Sequence, residues 1–262
     1  MRKVMVIAFL IVAVLVFAQG NPGKQIPMAK IKVENPDTAQ PSKARISFDS
    51  ESFNFGFVPQ GNAYIVRKFI VSNTGEDTLY ITRVRPTCGC TAAPLKKDAL
   101  APGESTEIKT IFRTRGYRRA TSKSIKVESN DPTRKLVSLR FSANLDTALW
   151  HDTSKGPRLF CEPEVIDLGK GDLFQSSSKV KLKNPSDKTL KLQIVEYTSD
   201  VIKKPKIRRT TLKPGKSTYM NINVLEDYDI NQMIKASITI AAFDKSGSEV
   251  TRITIPIKGG GK

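Results

Sequence analysis

The chain has 262 residues, a formal net charge of +18, three cysteines, one histidine and one tryptophan. A single histidine cannot build the usual nucleophile–base pair without neighbours that the sequence does not place near it, which sets aside the common hydrolytic triads. The positive balance serves solubility as a solvated face, and at low salt it attracts anions such as lipid phosphates, acidic polysaccharides or nucleic acid.

Arg2 and Lys3 precede an uninterrupted apolar run from Val4 to Phe17, and Val16-Phe17-Ala18 supplies a cleavage site. This is the plan of a secretory signal peptide over residues 1–18. The run is short of the ~20 residues that span a bilayer, so an uncleaved anchor is the lesser reading. No cysteine lies near the site to be acylated, which disfavours a lipoprotein anchor. Cleavage removes Arg2 and Lys3, and the formal +18 falls by these two charges to +16. Residues 19–44, with Pro22, Pro27, Pro36 and Pro41 and few large apolar side chains, read as a tether in which Ile31 and Val33 could add a short edge strand.

Residues 45–145 read as the first folded domain. Phe53, Phe55 and Phe57 alternate before a turn at Val58-Pro59-Gln60-Gly61. Phe69 and Val71 alternate with Ile70 and Ser72, then a polar turn from Asn73 to Asp77 leads to Leu79 and Ile81, the period of strands with one face buried. A two-cysteine loop, a Pro102-Gly103 turn and a third strand follow. Ile125 and Val127, a turn at Ser129-Asn130-Asp131-Pro132, and Val137, Leu139, Phe141 and Ala143 complete the unit. About seven short strands in about 100 residues is the arithmetic of an immunoglobulin-like sandwich.

Residues 146–157 break the alternation and hold Trp150 and His151; they read as a linker, with His151 solvated. Residues 158–258 repeat the first pattern. Val180 and Leu182 lead to Asn184-Pro185-Ser186-Asp187, then Leu190 and Leu192, later Pro214-Gly215, then Met220, Ile222 and Val224. Asn73 to Pro102 spans 29 positions and Asn184 to Pro214 spans 30, as a tandem duplication would leave them. Ile238, Ile240 and Ala242, then Ile253, Ile255 and Ile257, close the second unit. Pro256 donates no ladder hydrogen bond, so its strand is expected at an edge or with that nitrogen outward. The fold class is therefore all-β, two tandem immunoglobulin-like β-sandwich domains after a signal peptide and tether.

Asn73-Thr74-Gly75, Cys88-Gly89-Cys90-Thr91 and Ala101-Pro102-Gly103-Glu104 together resemble a widespread bacterial domain of unknown function, family 1573. That family is similar to the immunoglobulin-like domains of cilium and centrosome proteins of the abnormal-spindle and hydin type. The resemblance covers roughly residues 45–145. It implies a fold and no established activity, and because similar domains are mostly exported, repeated binding or structural units, it implies an interaction role.

Cys88 and Cys90 are the candidates for a disulfide, with Cys161 left over. One intervening residue puts their Cα atoms within bridging range when the chain turns, and Gly89 makes positive φ accessible there. Three readings stay open: packing or bridging that locks the loop, a thiol-redox site, and a metal site. The usual redox motifs place the nucleophilic thiol at a helix N-terminus, and no helix is evident after Cys90. Two thiolates suit copper, whereas zinc needs further ligands that this loop does not offer, so Cys88 and Cys90 are the metal candidates and no cofactor is assigned. The second copy carries Ser199-Asp200-Val201-Ile202 in place of the cysteine motif.

Arg113, Arg115, Arg118 and Arg119 surround Tyr117 and are the candidates for anion binding, since the guanidinium fork fits phosphate and carboxylate. Lys203, Lys204, Lys206, Arg208 and Arg209 form a second cluster. Aromatic platforms interleaved with base-contacting groups are missing, which argues against nucleic acid. The sequence thus points to a non-enzymatic interaction or structural module of the bacterial envelope, periplasmic or at the cell surface, with a protein or acidic glycan as partner. Its alternative is a periplasmic thiol-redox or copper-handling protein centred on Cys88 and Cys90.

Overall fold

The computed structural model describes residues 42–261. The signal peptide and the tether up to residue 41 lie outside the described residues. The last three residues of the expected tether pack on the first sandwich: Ala44 is buried, and the Lys43 amide donates to Asp77 Oδ2 at 2.7 Å. Gly75 belongs where this segment crosses, because a Cβ there would stand 2.0 Å from the Lys43 carbonyl oxygen.

Alternation of apolar and polar side chains yields most of the strands, and the strand Ile234–Phe243 is buried on both faces. The first core is built from β1 (Ile46–Phe48), β2 (Ser52–Phe57), β3 (Tyr64–Asn73), β4 (Leu79–Pro86), β5 (Thr91–Ala92), β6 (Ala99–Leu100), β7 (Ser105–Arg113), β8 (Ala120–Ser129) and β9 (Leu136–Asn144). One sheet runs β1-β3-β7-β5 and the other β2-β9-β8-β4-β6. Between them lie Phe55, Phe69, Leu79, Ile108, Phe112, Ile125, Leu139 and Phe141. Phe69 is fully buried and Ile70 is 37% exposed, so the register read from the alternation holds.

A five-residue helix, α1 (Thr147–His151), and a 3-10 turn (Thr153–Lys155) follow. Then come β10 (Phe160–Glu162), β11 (Ile166–Asp167), a second 3-10 turn (Gly171–Leu173), β12 (Ser177–Lys183), β13 (Leu190–Tyr197), β14 (Lys206–Ile207), β15 (Thr211–Leu212), β16 (Ser217–Asn223), β17 (Ile234–Phe243) and β18 (Glu249–Gly259). The second core sits between β10-β12-β16-β14 and β15-β13-β17-β18. Helix α1 differs from the linker read in the sequence. Asp146 caps it by accepting from the Leu149 amide, and Trp150 is 1% exposed within the second core, its Nε1 donating to the Leu159 carbonyl at 3.0 Å. His151 is exposed, as read from the sequence, but not free: its Nε2 lies 2.8 Å from Glu164 Oε1 and its ring packs on Phe160.

For Pro256 the edge alternative fails, and a gap in one strand edge takes its place, because β18 is an interior strand. It pairs with β17 along its length, while its other edge is served in two pieces, β2 at Ile253 and β11 from Ile257. Pro256 falls in the break between them, where no ladder partner stands on that edge.

The two cores repeat one set of hydrogen bonds. Asn73 is buried, with Nδ2 donating to the Asp77 and Leu100 carbonyls and Oδ1 accepting from the Gly75 amide. Asn184 is buried in the same way, with Nδ2 donating to the Lys188 and Leu212 carbonyls and Oδ1 accepting from the Ser186 amide. Each asparagine carbonyl accepts from the following Pro-Gly turn, at Gly103 and at Gly215, both at 2.9 Å.

The second sandwich is fastened to the first by buried polar contacts. Ser237 Oγ accepts from the Val66 amide at 2.8 Å, and Thr254 Oγ1 donates to the Phe55 carbonyl at 2.6 Å. Gly56 has φ +69°, and a Cβ there would stand 2.2 Å from the Arg252 carbonyl oxygen, so only glycine fits. Arg67 pairs with both Asp49 and Glu196, and Asp200 takes Lys68 at 3.2 Å and Lys109 at 2.6 Å. Burial raises the Glu196 carboxyl against the pull of Arg67. Asp200 is held below the usual carboxylate range: burial pushes it up, and the ammonium groups of Lys109 and Lys68 outweigh that.

Candidate functional site

Cys88 and Cys90 form a disulfide in the loop from β4 to β5. Gly89 does not use positive φ. It stands instead as an exposed tip, with nothing within 4 Å of where a Cβ would be. The two sulfurs have different surroundings. Cys90 packs on the first core, and its Sγ accepts from the Tyr117 hydroxyl at 3.3 Å. Cys88, half-buried like Cys90, has its Sγ 3.4 Å from the Thr91 hydroxyl and is not part of that core cluster. While the sulfurs are bonded to one another neither is a thiolate for copper. Among the described residues no group of three or more His, Cys, Asp or Glu side chains is placed to share a metal ion. Cys161, opposite Leu182 on β10, is a free thiol that burial pushes well up in pKa, and it is remote in role from the loop.

The structure joins two candidates that the sequence kept apart. Pairing of β5 with β7 puts Thr91 opposite Phe112 and lets the Arg113 amide donate to the Cys90 carbonyl at 2.9 Å. The hairpin carrying Arg113, Arg115, Arg118 and Arg119 thereby lies against the disulfide loop. Arg113 is half-buried and donates through Nε to Asn62 Oδ1, whereas Arg115, Arg118 and Arg119 are exposed. None of the four pairs with a carboxylate among the described residues. Tyr117, at the centre, packs at a tilt of 58° against Phe112 and carries the Lys123 ammonium 4.7 Å from its ring centroid.

The second sandwich presents a basic sheet face. Val180 and Leu182 point into the core, so Lys179, Lys181 and Lys183 point out. They stand opposite Asn221, Tyr219 and Ser217 on β16. Lys206 flanks Asn221 from β14, and Arg208 continues beside Tyr219, whose ring has the Lys179 ammonium at 4.2 Å. Glu162, opposite Lys181, is the one carboxylate on these four strands. Of the predicted cluster, Lys206 and Arg208 belong here and Lys203 pairs instead with Glu226. The lysines of β12 were missed, although their every-second-residue spacing is written in the sequence.

Residues 46–145 match the model of a family described as a protein of unknown function, DUF1573, the family that the motifs of the first domain resemble. No curated protein matches the chain. Solved structures similar to it include a protein of unknown function from Porphyromonas gingivalis W83, with 18% identity, 81% of this chain and 99% of that chain covered, and a TM-score of 0.32. PapD-like domain 7 of human CEP192 is 14% identical over 45% of this chain and 96% of that one, with a TM-score of 0.31. The periplasmic chaperone SfaE is 12% identical over 83% and 100%, also with a TM-score of 0.31. No helix among the described residues is long and apolar enough to cross a membrane.

Proposed function

We propose that this chain is an exported, non-enzymatic interaction or structural module of the bacterial cell envelope that holds an acidic envelope component on its basic face. The observation that carries the reading is the outward face of β12, β16 and β14, where Lys179, Lys181, Lys183, Lys206 and Arg208 surround Tyr219 and Asn221, with Glu162 of the adjoining β10 as the one carboxylate beside them. Cations on a flat sheet cannot all find intramolecular partners, and an extended anionic chain laid across the strands supplies them at once. The long lysine stems also give apolar surface beside the Tyr219 ring. The signal-peptide plan of residues 1–18 supports export, and the two interlocked sandwiches offer a stiff platform.

The test is retention of the mature protein on an immobilised acidic polysaccharide and on native envelope fractions, against the triple variant Lys179→Glu, Lys181→Glu, Lys183→Glu. These side chains point to solvent, so the fold should survive. The expected result is retention by the parent that weakens steeply between low and physiological salt, and its loss in the variant. Equal retention of both proteins would remove the basic face from the reading.

A further inference from the structure

We propose that the Cys88–Cys90 bridge is a thiol–disulfide exchange site for a cysteine-bearing polypeptide, with Cys88 as the sulfur attacked and Cys90 as the sulfur that leaves. The asymmetry around the bridge assigns the roles. Both cysteines are half-buried and both sulfurs lie near the Thr91 hydroxyl, but Cys90 alone packs on the core cluster and takes the Tyr117 hydroxyl at 3.3 Å. An incoming thiolate therefore reaches Cys88 along the line away from Cys90. Its sulfur bonds to Cys88 Sγ, the Cys88–Cys90 bond breaks, and Cys90 departs with the electron pair as a thiolate. The Tyr117 O–H is already aimed at that sulfur, and the Lys123 ammonium over its ring strengthens it as a donor. A leaving thiolate stabilised in this way leaves faster. A second thiolate on the same polypeptide then attacks the partner sulfur of the mixed disulfide and releases Cys88. The partner dithiol is thereby oxidised to a disulfide, and Cys88 and Cys90 are reduced by two electrons, each taking a proton from water.

Two observations identify the partner as a polypeptide with acidic flanks. Beside the loop is a groove of about 290 Å³ lined by Arg85, Pro86, Thr87 and Lys126, on the stretch of β4 that β6 does not reach. The corresponding end of the second sandwich is itself a protein-binding surface. There the Val201 carbonyl accepts from Leu225, as Cys90 accepts from Arg113, and the adjoining Asp200 docks on Lys68 and Lys109. The same end of the first sandwich is not covered by any described residue, and carries Arg85 in place of Glu196, with Lys126 opposite it, and Gly89 in place of Asp200.

The experiment incubates oxidised mature protein with reduced glutathione, quenches with acid and maps the mixed disulfide by mass spectrometry. Glutathione is expected on Cys88. Tyr117→Phe, which keeps the ring between Phe112 and Lys123, should exchange roughly tenfold more slowly, as loss of one hydrogen bond to a thiolate implies. A two-cysteine peptide with acidic flanks should react faster than one with basic flanks. Labelling chiefly on Cys90, an unchanged rate for a folded Tyr117→Phe protein, faster reaction of the basic peptide, or a bridge inert to glutathione until the protein unfolds would each overturn the proposal. The mapping on Cys88 needs no variant, so it stands even if Tyr117→Phe folds poorly.

Discussion

Replacing Asn73 by alanine tests whether the repeated turn holds the sandwich together. The side chain makes three well-formed hydrogen bonds, to the Asp77 carbonyl at 2.8 Å, to the Leu100 carbonyl at 2.9 Å and from the Gly75 amide at 3.0 Å. At about 1 kcal/mol net each, their loss costs about 3 kcal/mol, and Leu100, fully buried, leaves a carbonyl that water cannot reach. Against a typical stability of about 5–15 kcal/mol the variant should still fold and melt visibly earlier. Asn184→Ala removes the equivalent bonds and should cost a similar amount. Asn73→Asp should be worse than alanine, because it keeps the acceptor, deletes both donors and points a carboxylate at two carbonyl oxygens. The assay is urea unfolding followed by far-UV circular dichroism and by the fluorescence of Trp150, which reports the second core. If the junction couples the sandwiches, the two probes should shift together in both variants. An Asn73→Asp protein as stable as the parent, or a cost for Asn73→Ala below about 0.5 kcal/mol, would refute the reasoning.

Other outcomes follow from single side chains. Phe69→Ala, Leu79→Ala and Phe141→Ala should each cost about 2–5 kcal/mol in the same melts, and Ile70→Lys far less; the reverse order would mean a register shifted by one. Burial raises the Asp131 carboxyl, but bonds from the amides of Ile46, Thr133 and Arg134 and from the Thr133 hydroxyl bring it below its ordinary 3.8. Its folded pKa is therefore depressed, so its contribution is complete above about pH 4 and is lost as pH falls through the folded value. Asp131→Asn should flatten that acid limb in melts taken from pH 5 downward, and an unchanged limb would place the loss elsewhere. N-terminal sequencing of the exported protein should begin at or near Gln19, and recovery of Met1 would favour a retained anchor.

Much of the fold was legible because alternation carries it. Phe69 against Ile70, and Val180 and Leu182 against their lysines, specify which face is buried before any contact is known. The asparagine turns and the alignment of Cys88-Gly89-Cys90-Thr91 with Ser199-Asp200-Val201-Ile202 were legible from spacing, and the Thr91–Phe112 and Ile202–Val224 pairings bear that alignment out. Trp150 was not legible, since a helix of five residues has too few positions to show a period. Which of its two alternatives Pro256 takes was not legible, because the sequence does not reveal that β2 and β11 share one edge of β18 and leave a break at that residue. The neighbourhood of Cys90 and Tyr117 depends on pairing between β5 and β7, a contact across 27 positions that local patterns do not encode.

The repeat also explains why the two free surfaces are the ones described. The junction uses the loop end of the second sandwich, with Glu196, Asp200 and Ser237, against β3 and β7 of the first, with Val66, Lys68 and Lys109. One loop end and one sheet face are thereby consumed. What remains is the loop end of the first sandwich and the face of the second. At that loop end the counterpart of Asp200 is Gly89 and that of Ser237 is Ser124, since Ser124 accepts from Thr87 as Ser237 accepts from Thr198. On that face Lys179 lies opposite Asn221, as Lys68 lies opposite Lys109. A second chain docking its free end on this face would therefore set the neutral Gly89 where the junction has Asp200, and bring Arg85 toward the lysine row, with Glu162 as the one carboxylate of the face. Repulsion of like charges disfavours head-to-tail growth and leaves both surfaces open to other molecules, an acidic one on the lysine face and a cysteine-bearing one at the disulfide end.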